Sequence, residues 1–468
     1  VEAVPAPRAV EASSIVIVAN RLPVHRVRRR TTTVWKTSPG GLVSALTPVL
    51  EGQTSAWVGW AGIAGVPPQP FEHKGIRNCP VRLSRDEVES FYEGFCNRTL
   101  WPLYHDAVRT PEYRRRWWSP YIQINRRFAE AAAQTVARSG TVWVHDYHLQ
   151  LAPAMIRELR PDVRIGFFLH IPFPPQELFA QLPWRDAILS GLLGADVVGF
   201  QTPGGAANFS QLARRYTTAG GTQNELRYEG RIVRPAAFPV SIDAKRFEKL
   251  AQSDVVRQRS ESFRARLGPF RKVMLGVDRL DYTKGIDIRL RAYHELLRSQ
   301  RATLDDCVLV QLAVPSRERV TEYRDMRASI EHLVGEINGE FGEVGRTPIH
   351  YLHRNLPIQE LVALYRATDV MVVTPLRDGM NLVAKEYAAT RHDNTGVLVL
   401  SEFTGSAREL SSALLVNPHD IDGLAKTLDT ALHLPSEEQR QRMRSLRRVV
   451  KRHDVFHWAR SFLDALGA

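Results

Sequence analysis

The chain of 468 residues holds only three cysteines, Cys79, Cys96 and Cys307, widely spaced. They make no CxxC pair and no even set, which excludes a disulfide framework and leaves reduced, packed thiols as the expectation. Long apolar runs are missing as well: none approaches the roughly 18 residues of a membrane helix. Residues 1–13 lack the basic start and apolar middle of a secretory signal, so they read as a loose leader, with the cytoplasm as the expected compartment. No GxGxxG follows a strand and no Walker loop occurs, which removes the main support for hydride transfer and for ATP hydrolysis. His145 and His148, like His350 and His353, stand three apart without neighbours that complete a metal site. No internal repeat at a solenoid period is found.

What is present describes a globular protein. Hydrophobic residues make up 44% and charged residues 24%, enough to bury two cores, and the length fits two domains of about 200 residues each. The net charge of +13 makes an anionic partner plausible, either nucleic acid or a phosphorylated metabolite. The densest basic runs are Arg26 to Arg30, Arg114 to Arg116 and Arg440 to Arg452, the last patterned as an amphipathic helix with its arginines outward. They read as solvated surface, because no RNP aromatics, zinc-finger spacing or basic zipper accompanies them.

Short β-branched runs alternate with helical patterns, the mark of parallel sheets with crossover helices. The expected strands are Ile15 to Ala19, Thr141 to Val144, Arg164 to Leu169 and Asp196 to Gly199, then Lys272 to Val277, Cys307 to Val314, Asp369 to Thr374 and Gly396 to Leu400. Their uniform apolarity calls for helices on both faces. The fold class is α/β, with two doubly wound domains over 14–240 and 241–453 and a final helical segment, 454–468, able to pack back on the first domain. Val34 to Leu100, rich in Gly, Pro and Trp, reads as insertions around the first domain's ligand face.

Ligands of open parallel sheets collect beyond the carboxyl ends of the strands. Here those ends are polar: Asn20-Arg21, His145-Asp146-Tyr147-His148, His170, Asp278 through Lys284, Ser316-Arg317, and Arg377-Asp378-Gly379. Each has a plain structural reading: Arg279 paired with Asp281, His145 and His148 as buried hydrogen-bonded residues, Asp146 as a helix cap. Six such ends together make the plain reading weaker and describe an interdomain cleft. Arg279 and Lys284, five apart across a strand-to-helix turn, suit a diphosphate. Gly379 and the cap residue Asn381 open an apolar helix whose amides can face the same phosphates. Glu386, a little over one turn on, is within reach of ribose hydroxyls or is a helix-surface carboxylate. Gly40-Gly41 forms a second amide-bearing turn.

These stretches resemble the trehalose-6-phosphate synthases, retaining glycosyltransferases with two facing Rossmann-like domains of the glycosyltransferase B type. The matching segments are Ala19 to Val24, Gly40 to Leu42, Tyr92 to Pro102 (YEGFCNRTLWP), His145 to His148, Gly166 to Pro174 (GFFLHIPFP), Asp278 to Gly285 (DRLDYTKG) and Thr374 to Tyr387 (TPLRDGMNLVAKEY). They run in family order from about residue 15 to about residue 410. The resemblance implies that Arg21, Tyr92, Trp101 and Arg317 hold the phosphate of glucose 6-phosphate, with Asp146 beside the acceptor sugar. It implies Arg279 and Lys284 on the donor diphosphate, Gly40 and Gly41 closing over it, His170 and Asp378 on the transferred glucose, Asn381 and Leu382 offering amides, and Glu386 on the ribose. Arg26 to Thr33 and Gly339 to Arg346 are loops that follow no assignable pattern.

The implied reaction moves glucose, with retention, from a nucleoside-diphosphate glucose such as UDP-glucose to glucose 6-phosphate. No pair of carboxylates at the separation used by retaining glycosidases stands out. The leaving phosphate would instead depart on the face that the acceptor attacks, stabilised by Arg279 and Lys284. No metal and no cofactor are expected; the partners are the two small substrates, with no nucleic acid, no membrane, and a homo-oligomer as the assembly. Competing readings are a related transferase with another phosphorylated acceptor, or a non-catalytic sensor or nucleic-acid binder using the positive charge.

Overall fold

The computed structural model describes residues 12–29, 32–38, 43, 46, 50, 54–317 and 320–467. The chain forms two compact units, Val1–Phe238 together with Ala459–Ala468, and Pro239–Trp458.

In the first unit the strands are β1 (Ser13–Arg21), β2 (Val24–Arg29), β3 (Thr32–Thr37), β4 (Ser55–Trp60), β5 (Phe71–His73), β6 (Ile76–Val81), β7 (Val136–His145), β8 (Arg164–Phe168), β9 (Val197–Phe200), β10 (Gly220–Gly221), β11 (Leu226–Tyr228) and β12 (Arg231–Ala237). All but β2 and β3 join one sheet in the order β10-β11-β12-β9-β8-β7-β1-β4-β6-β5. From β12 to β6 every neighbouring pair is parallel, and antiparallel β11 and β5 close the two sides. Val16, Ile17 and Val18 of β1 are completely buried, as a strand covered on both faces must be. Crossover helices such as Arg115–Thr135, Ala152–Leu159 and Pro203–Tyr216 supply the cover.

Two segments differ from the sequence-based expectation. Ser55–Trp60, placed among insertions, is a central strand bonded directly to β1. Its sequence SAWVGW carries little β-branched signal, but all six residues are buried, so position in the sheet overrides propensity. The Arg26 to Thr33 stretch, expected as a loop, contributes β2 and β3, an antiparallel ribbon with Arg26 opposite Trp35. Trp35 stacks on Phe71 at 4.5 Å, anchoring the ribbon. In the second unit the helix Thr321–Phe341 runs into the supposed Gly339 to Arg346 loop, which closes with a bridge between Glu343 and Arg346.

The second unit adds β13 (Lys272–Arg279), β14 (Cys307–Val314), β15 (Ile349–Leu352), β16 (Val370–Val373), β17 (Val397–Ser401) and β18 (Leu414–Val416). They form an all-parallel sheet in the order β15-β14-β13-β16-β17-β18. One buried charge cluster interrupts its apolar core: Arg289 bonds Asp278 at 2.6 Å and Gln311 at 2.8 Å, with side-chain exposures of 1% and 2% for the ion pair. At this burial each charge depends on the other.

Cys79, Cys96 and Cys307 are buried and form no disulfide among the described residues. The last helix, Val455–Leu466, brings the fully buried Phe462 onto the first sheet. Its ring stacks on Trp143 at 4.4 Å and meets Phe238 and Phe168 edge-on at 5.0 and 6.0 Å. Gly166 and Gly199 make the floor, since a Cβ on either would sit 2.6 or 2.7 Å from the Phe462 ring. Phe462→Ala is therefore expected to cost about 3–5 kcal/mol in urea unfolding, the range for emptying a large aromatic site; a loss below about 1 kcal/mol would contradict this packing.

Candidate functional site

In the second unit β13 and β16 lie side by side, and the chain leaves them toward opposite edges of the sheet. That is a topological switch point, where open α/β sheets bind ligands. Arg279 is the exposed last residue of β13. Asp281 follows, completely buried, and caps the turn by accepting from the amide and hydroxyl of Thr283 at 3.1 and 2.9 Å. Its other oxygen takes Arg317 and the Tyr323 hydroxyl, both at 3.2 Å. Burial would raise this carboxyl, but the cations of Arg317, Arg279 and Lys284 overcome it and hold it at about 2. The turn is thus built around a carboxylate whose ionised form the surrounding cations favour.

The two switch-point loops are pinned together. Leu376 N–H donates to Thr283 O at 2.8 Å and the Thr374 hydroxyl to Gly285 O at 3.1 Å. Gly285 sits at φ +58, with Thr374 O only 2.2 Å from where a Cβ would be, so only glycine fits. Across this seam the Lys284 ammonium contacts Asp378 at 2.6 Å, and both side chains are largely buried, 11% and 13% exposed. The Asn381 amide donates to the same Asp378 oxygen at 3.1 Å. Asn381 also caps the helix Leu382–Thr390 by accepting from Ala384 N, from a left-handed backbone at φ 73. The amides of Asn381 and Leu382 stand before the first intrahelical acceptor. Glu386, a half-buried residue of this helix, accepts from the Tyr365 hydroxyl at 2.8 Å, and burial raises its carboxyl.

In the first unit Arg21 ends β1, its guanidinium 4.1 Å from the Trp60 ring centre and 5.9 Å from that of Tyr92. Tyr92 stacks on His148 at 5.8 Å with planes 10° apart. His148 Nδ1 lies 4.0 Å from Asp146, whose carboxylate accepts from His170 N–H at 3.3 Å. Trp101 joins through Tyr147 at 5.6 Å, and the Tyr147 ring in turn lies 3.9 Å from that of His148, tilted by 34°. Tyr92 lies in the helix Val88–Leu100, a wide π-helix of 13 residues, a geometry concentrated at functional sites. Asn97 in that helix ties Tyr92 O, at 2.6 Å, to the Tyr147 hydroxyl, at 2.9 Å. Asp146 adopts φ 74, which a non-glycine residue holds only when its surroundings impose it. It offers no side-chain cap to the short helix after it; its carboxylate serves His170 instead.

His170 and His145 face each other, Nε2 to Nδ1 at 3.1 Å. Burial pushes His170 down to about 3 and His145 well below the ordinary imidazole value, where the neighbouring His170 ring adds to the effect. The pair is neutral at physiological pH, able to orient and hydrogen-bond a hydroxyl but not to contribute charge.

The sequence-predicted residues therefore fall in two groups. Arg21, Tyr92, Trp101, Asp146 and His170 form one contiguous set in the first unit. Arg279, Lys284, Asp378, Asn381, Leu382 and Glu386 gather around the switch point of the second. Arg317, grouped by resemblance with Arg21, belongs to the second unit and is bound to Asp281, from a left-handed backbone at φ 48. Gly40 and Gly41 lie outside the described residues. Trp60, Tyr323 and Tyr365 were not singled out for the site. Tyr323 and Tyr365 sit in helices with ordinary core patterns, and Trp60 in the strand that sequence did not reveal. Among the described residues no group of three or more His, Cys, Asp and Glu side chains is placed to hold a metal.

Comparison with known proteins follows this geometry. The model of glycosyltransferase family 20 matches residues 13–468. Trehalose-6-phosphate synthase of Mycolicibacterium smegmatis is 57% identical over 466 residues, covering 97% of this chain and 93% of that protein. Among solved structures, a UDP-forming α,α-trehalose-phosphate synthase from Burkholderia xenovorans in complex with glucose-6-phosphate is 34% identical, with a TM-score of 0.89 over 97% of this chain and 100% of that one. A trehalose-6-phosphate synthase studied with bisubstrate glycomimetics, as a case of glycosyl transfer with retention, is 34% identical at a TM-score of 0.88 over 97% and 99% of the two chains. Matched from its first strand to its last residue, and alike in fold to these synthases over nearly its whole length, the chain is a glycosyltransferase and belongs to glycosyltransferase family 20.

Proposed function

We infer that this chain is an α,α-trehalose-6-phosphate synthase, transferring glucose with retention from a nucleoside-diphosphate glucose to glucose 6-phosphate and releasing the nucleoside diphosphate. The observation that carries this reading is the switch point of the second unit, where Lys284, Asp378 and the capped helix at Asn381 meet beside Arg279. An ammonium, a guanidinium and unpaired helix amides are what a diphosphate leaving group requires. Lys284 is held against Asp378 until a phosphate offers it stronger acceptors. As the glycosidic bond to the diphosphate breaks, Arg279 and Lys284 stabilise the charge that builds on the leaving oxygens. A leaving-group oxygen takes the proton of the attacking hydroxyl on the same face, which gives retention without a carboxylate nucleophile. In this reading the two cations replace a metal.

The acceptor side rests on the first unit. Arg21, sandwiched against Trp60 and near Tyr92, is an aromatic-backed cation suited to a phosphate monoester. Asp146 and the neutral His170 orient the sugars through hydrogen bonds. Glu386 serves the ribose, with the Tyr365 hydrogen bond fixing its rotamer. Arg317 acts by keeping Asp281 in place.

Purified protein with glucose 6-phosphate and UDP-, ADP- or GDP-glucose is expected to release the nucleoside diphosphate; no turnover with any of the three would remove the proposal. Arg21→Ala is expected to raise KM for glucose 6-phosphate about tenfold to hundredfold, the worth of a charged hydrogen-bonding group. Lys284→Ala is expected to lower kcat about 100- to 1,000-fold, as for other lost transition-state donors. Equal effects of both substitutions on both parameters would contradict the division of roles.

The histidine pair sets an acid limit. Its folded pKa values lie below the ordinary imidazole value of roughly 6.5, so the unfolded chain binds more protons as pH falls from there toward 3. Stability therefore declines with acid across that window, by up to about 1.4 kcal/mol per pH unit for each histidine. Urea unfolding between pH 7.5 and 5 checks this, and His170→Gln is expected to flatten the slope; an unchanged slope would show that His170 is not held neutral.

A further inference from the structure

In the second unit the helix Ser436–Arg452 borders an open cavity of about 580 Å³ that belongs to neither group of site residues described above. Its lining is Asn394, Arg444, Arg447, Arg448, Lys451 and Arg452, five cations and one amide. We propose that this cavity is a second anion site, which takes a run of two or three linked phosphoryl groups.

Charge balance is the first argument. Arg447 and Lys451 share a single carboxylate, Glu248, at 2.6 and 2.7 Å, and Arg444 reaches Glu437 at 3.2 Å. Arg448 and Arg452 are exposed and make no ion pair among the described residues. Five cations thus face two carboxylates. The spacing is the second argument. Arg444, Arg448 and Arg452 repeat every four residues, as do Arg447 and Lys451, so like charges stack along the helix where they repel. The negative end of the helix dipole accounts for Lys451 and Arg452 in the last turn. It does not reach Arg444 and Arg448.

The third argument is that one cation is built in. Arg447 is only 12% exposed, fixed by His392 O at 3.3 Å and by Asn394 Oδ1, and its buried Nε has no hydrogen-bond partner. Asn394 itself holds a left-handed backbone at φ 57 to face it. From Arg444 to Arg452 the helix rises about 12 Å, so the cations are spread along a line on which a short phosphate chain meets more of them than one orthophosphate does. The segment 391–395 that Arg447 grips follows directly on the helix Leu382–Thr390, whose other end carries Asn381.

Titration calorimetry of the full chain at fixed ionic strength tests the proposal, with tripolyphosphate, ATP and orthophosphate as probes. Tripolyphosphate is expected to bind saturably and at least tenfold more tightly than orthophosphate. Arg448→Ala/Arg452→Ala should weaken it at least tenfold, whereas in Lys284→Ala, where the switch-point site no longer holds a diphosphate, the same saturable binding should remain. ATP binding as tightly as tripolyphosphate would identify the source as a nucleotide's phosphate chain; ATP failing where tripolyphosphate saturates would identify free inorganic chains. Arg448→Lys/Arg452→Lys keeps the charge and should restore most of the affinity, which guards against a folding defect in the alanine pair. The proposal is overturned if no saturable binding occurs, if Lys284→Ala abolishes binding that the alanine pair leaves intact, if the lysine pair binds no better than the alanine pair, or if a single-stranded oligonucleotide binds more tightly than tripolyphosphate.

Discussion

The contact between Lys284 and Asp378 is the constraint around which the second unit is organised. Two largely buried opposite charges at 2.6 Å cannot be separated cheaply, because either one left alone would keep its desolvation cost without compensation. Bringing them together requires β13 and β16 to be neighbours, a left-handed turn at Gly285, and hydrogen bonds that sew residues 283–285 to 374–376. The same requirement places Asn381 at a helix start and Asp281 under the cation turn. A sheet order that separated β13 from β16 would dissolve the site entirely, which is why its loops and its topology have to be read as one arrangement.

The first unit solves a different problem. It holds polar groups among aromatic rings, and burial decides their charge state. Trp60, Tyr92, Tyr147 and His148 form a path of neighbouring rings from Arg21 to Asp146, of which only Tyr92 and His148 stack face to face. Beyond it, His170 and His145 are kept neutral by desolvation. Backbone strain at Asp146 fits this division, since its positive φ turns the carboxylate toward His170 N–H instead of toward a helix start. Neutral hydrogen-bonding groups with one guanidinium suit a sugar phosphate that must be bound, oriented and released. Paired charges suit a diphosphate whose charge grows during the reaction.

Much of this was legible because parallel strands buried on both faces announce themselves as apolar runs, and because polar residues at their carboxyl ends have few purely structural uses. All eight expected strands are present, and the candidate residues at their ends cluster as two sets. What stayed hidden had physical causes. Ser55–Trp60 is a strand by position, its Ala, Trp and Gly giving no period to read. The ribbon Val24–Arg29 with Thr32–Thr37 is charged enough to resemble a loop. Tyr323 and Tyr365 bind site carboxylates from helices whose spacing shows only core packing, and the contact of Arg317 with Asp281 stayed hidden because sequence order does not say which carboxylate lies beneath a strand end. The basic helix read as solvated surface; only its packing against residues 391–394 reveals that Arg447 is held inward.

The central claim is that Lys284 and Asp378 act as one unit in donor use. A double-mutant cycle on kcat/KM for the nucleotide-glucose donor, with Lys284→Ala, Asp378→Asn and the double variant, measures this directly. Groups in contact within one network show coupling of about 0.5–3 kcal/mol, and the account predicts the upper part of that range, with the double variant hardly worse than the poorer single one. Losses that add to within about 0.5 kcal/mol, the behaviour of independent sites, would contradict it.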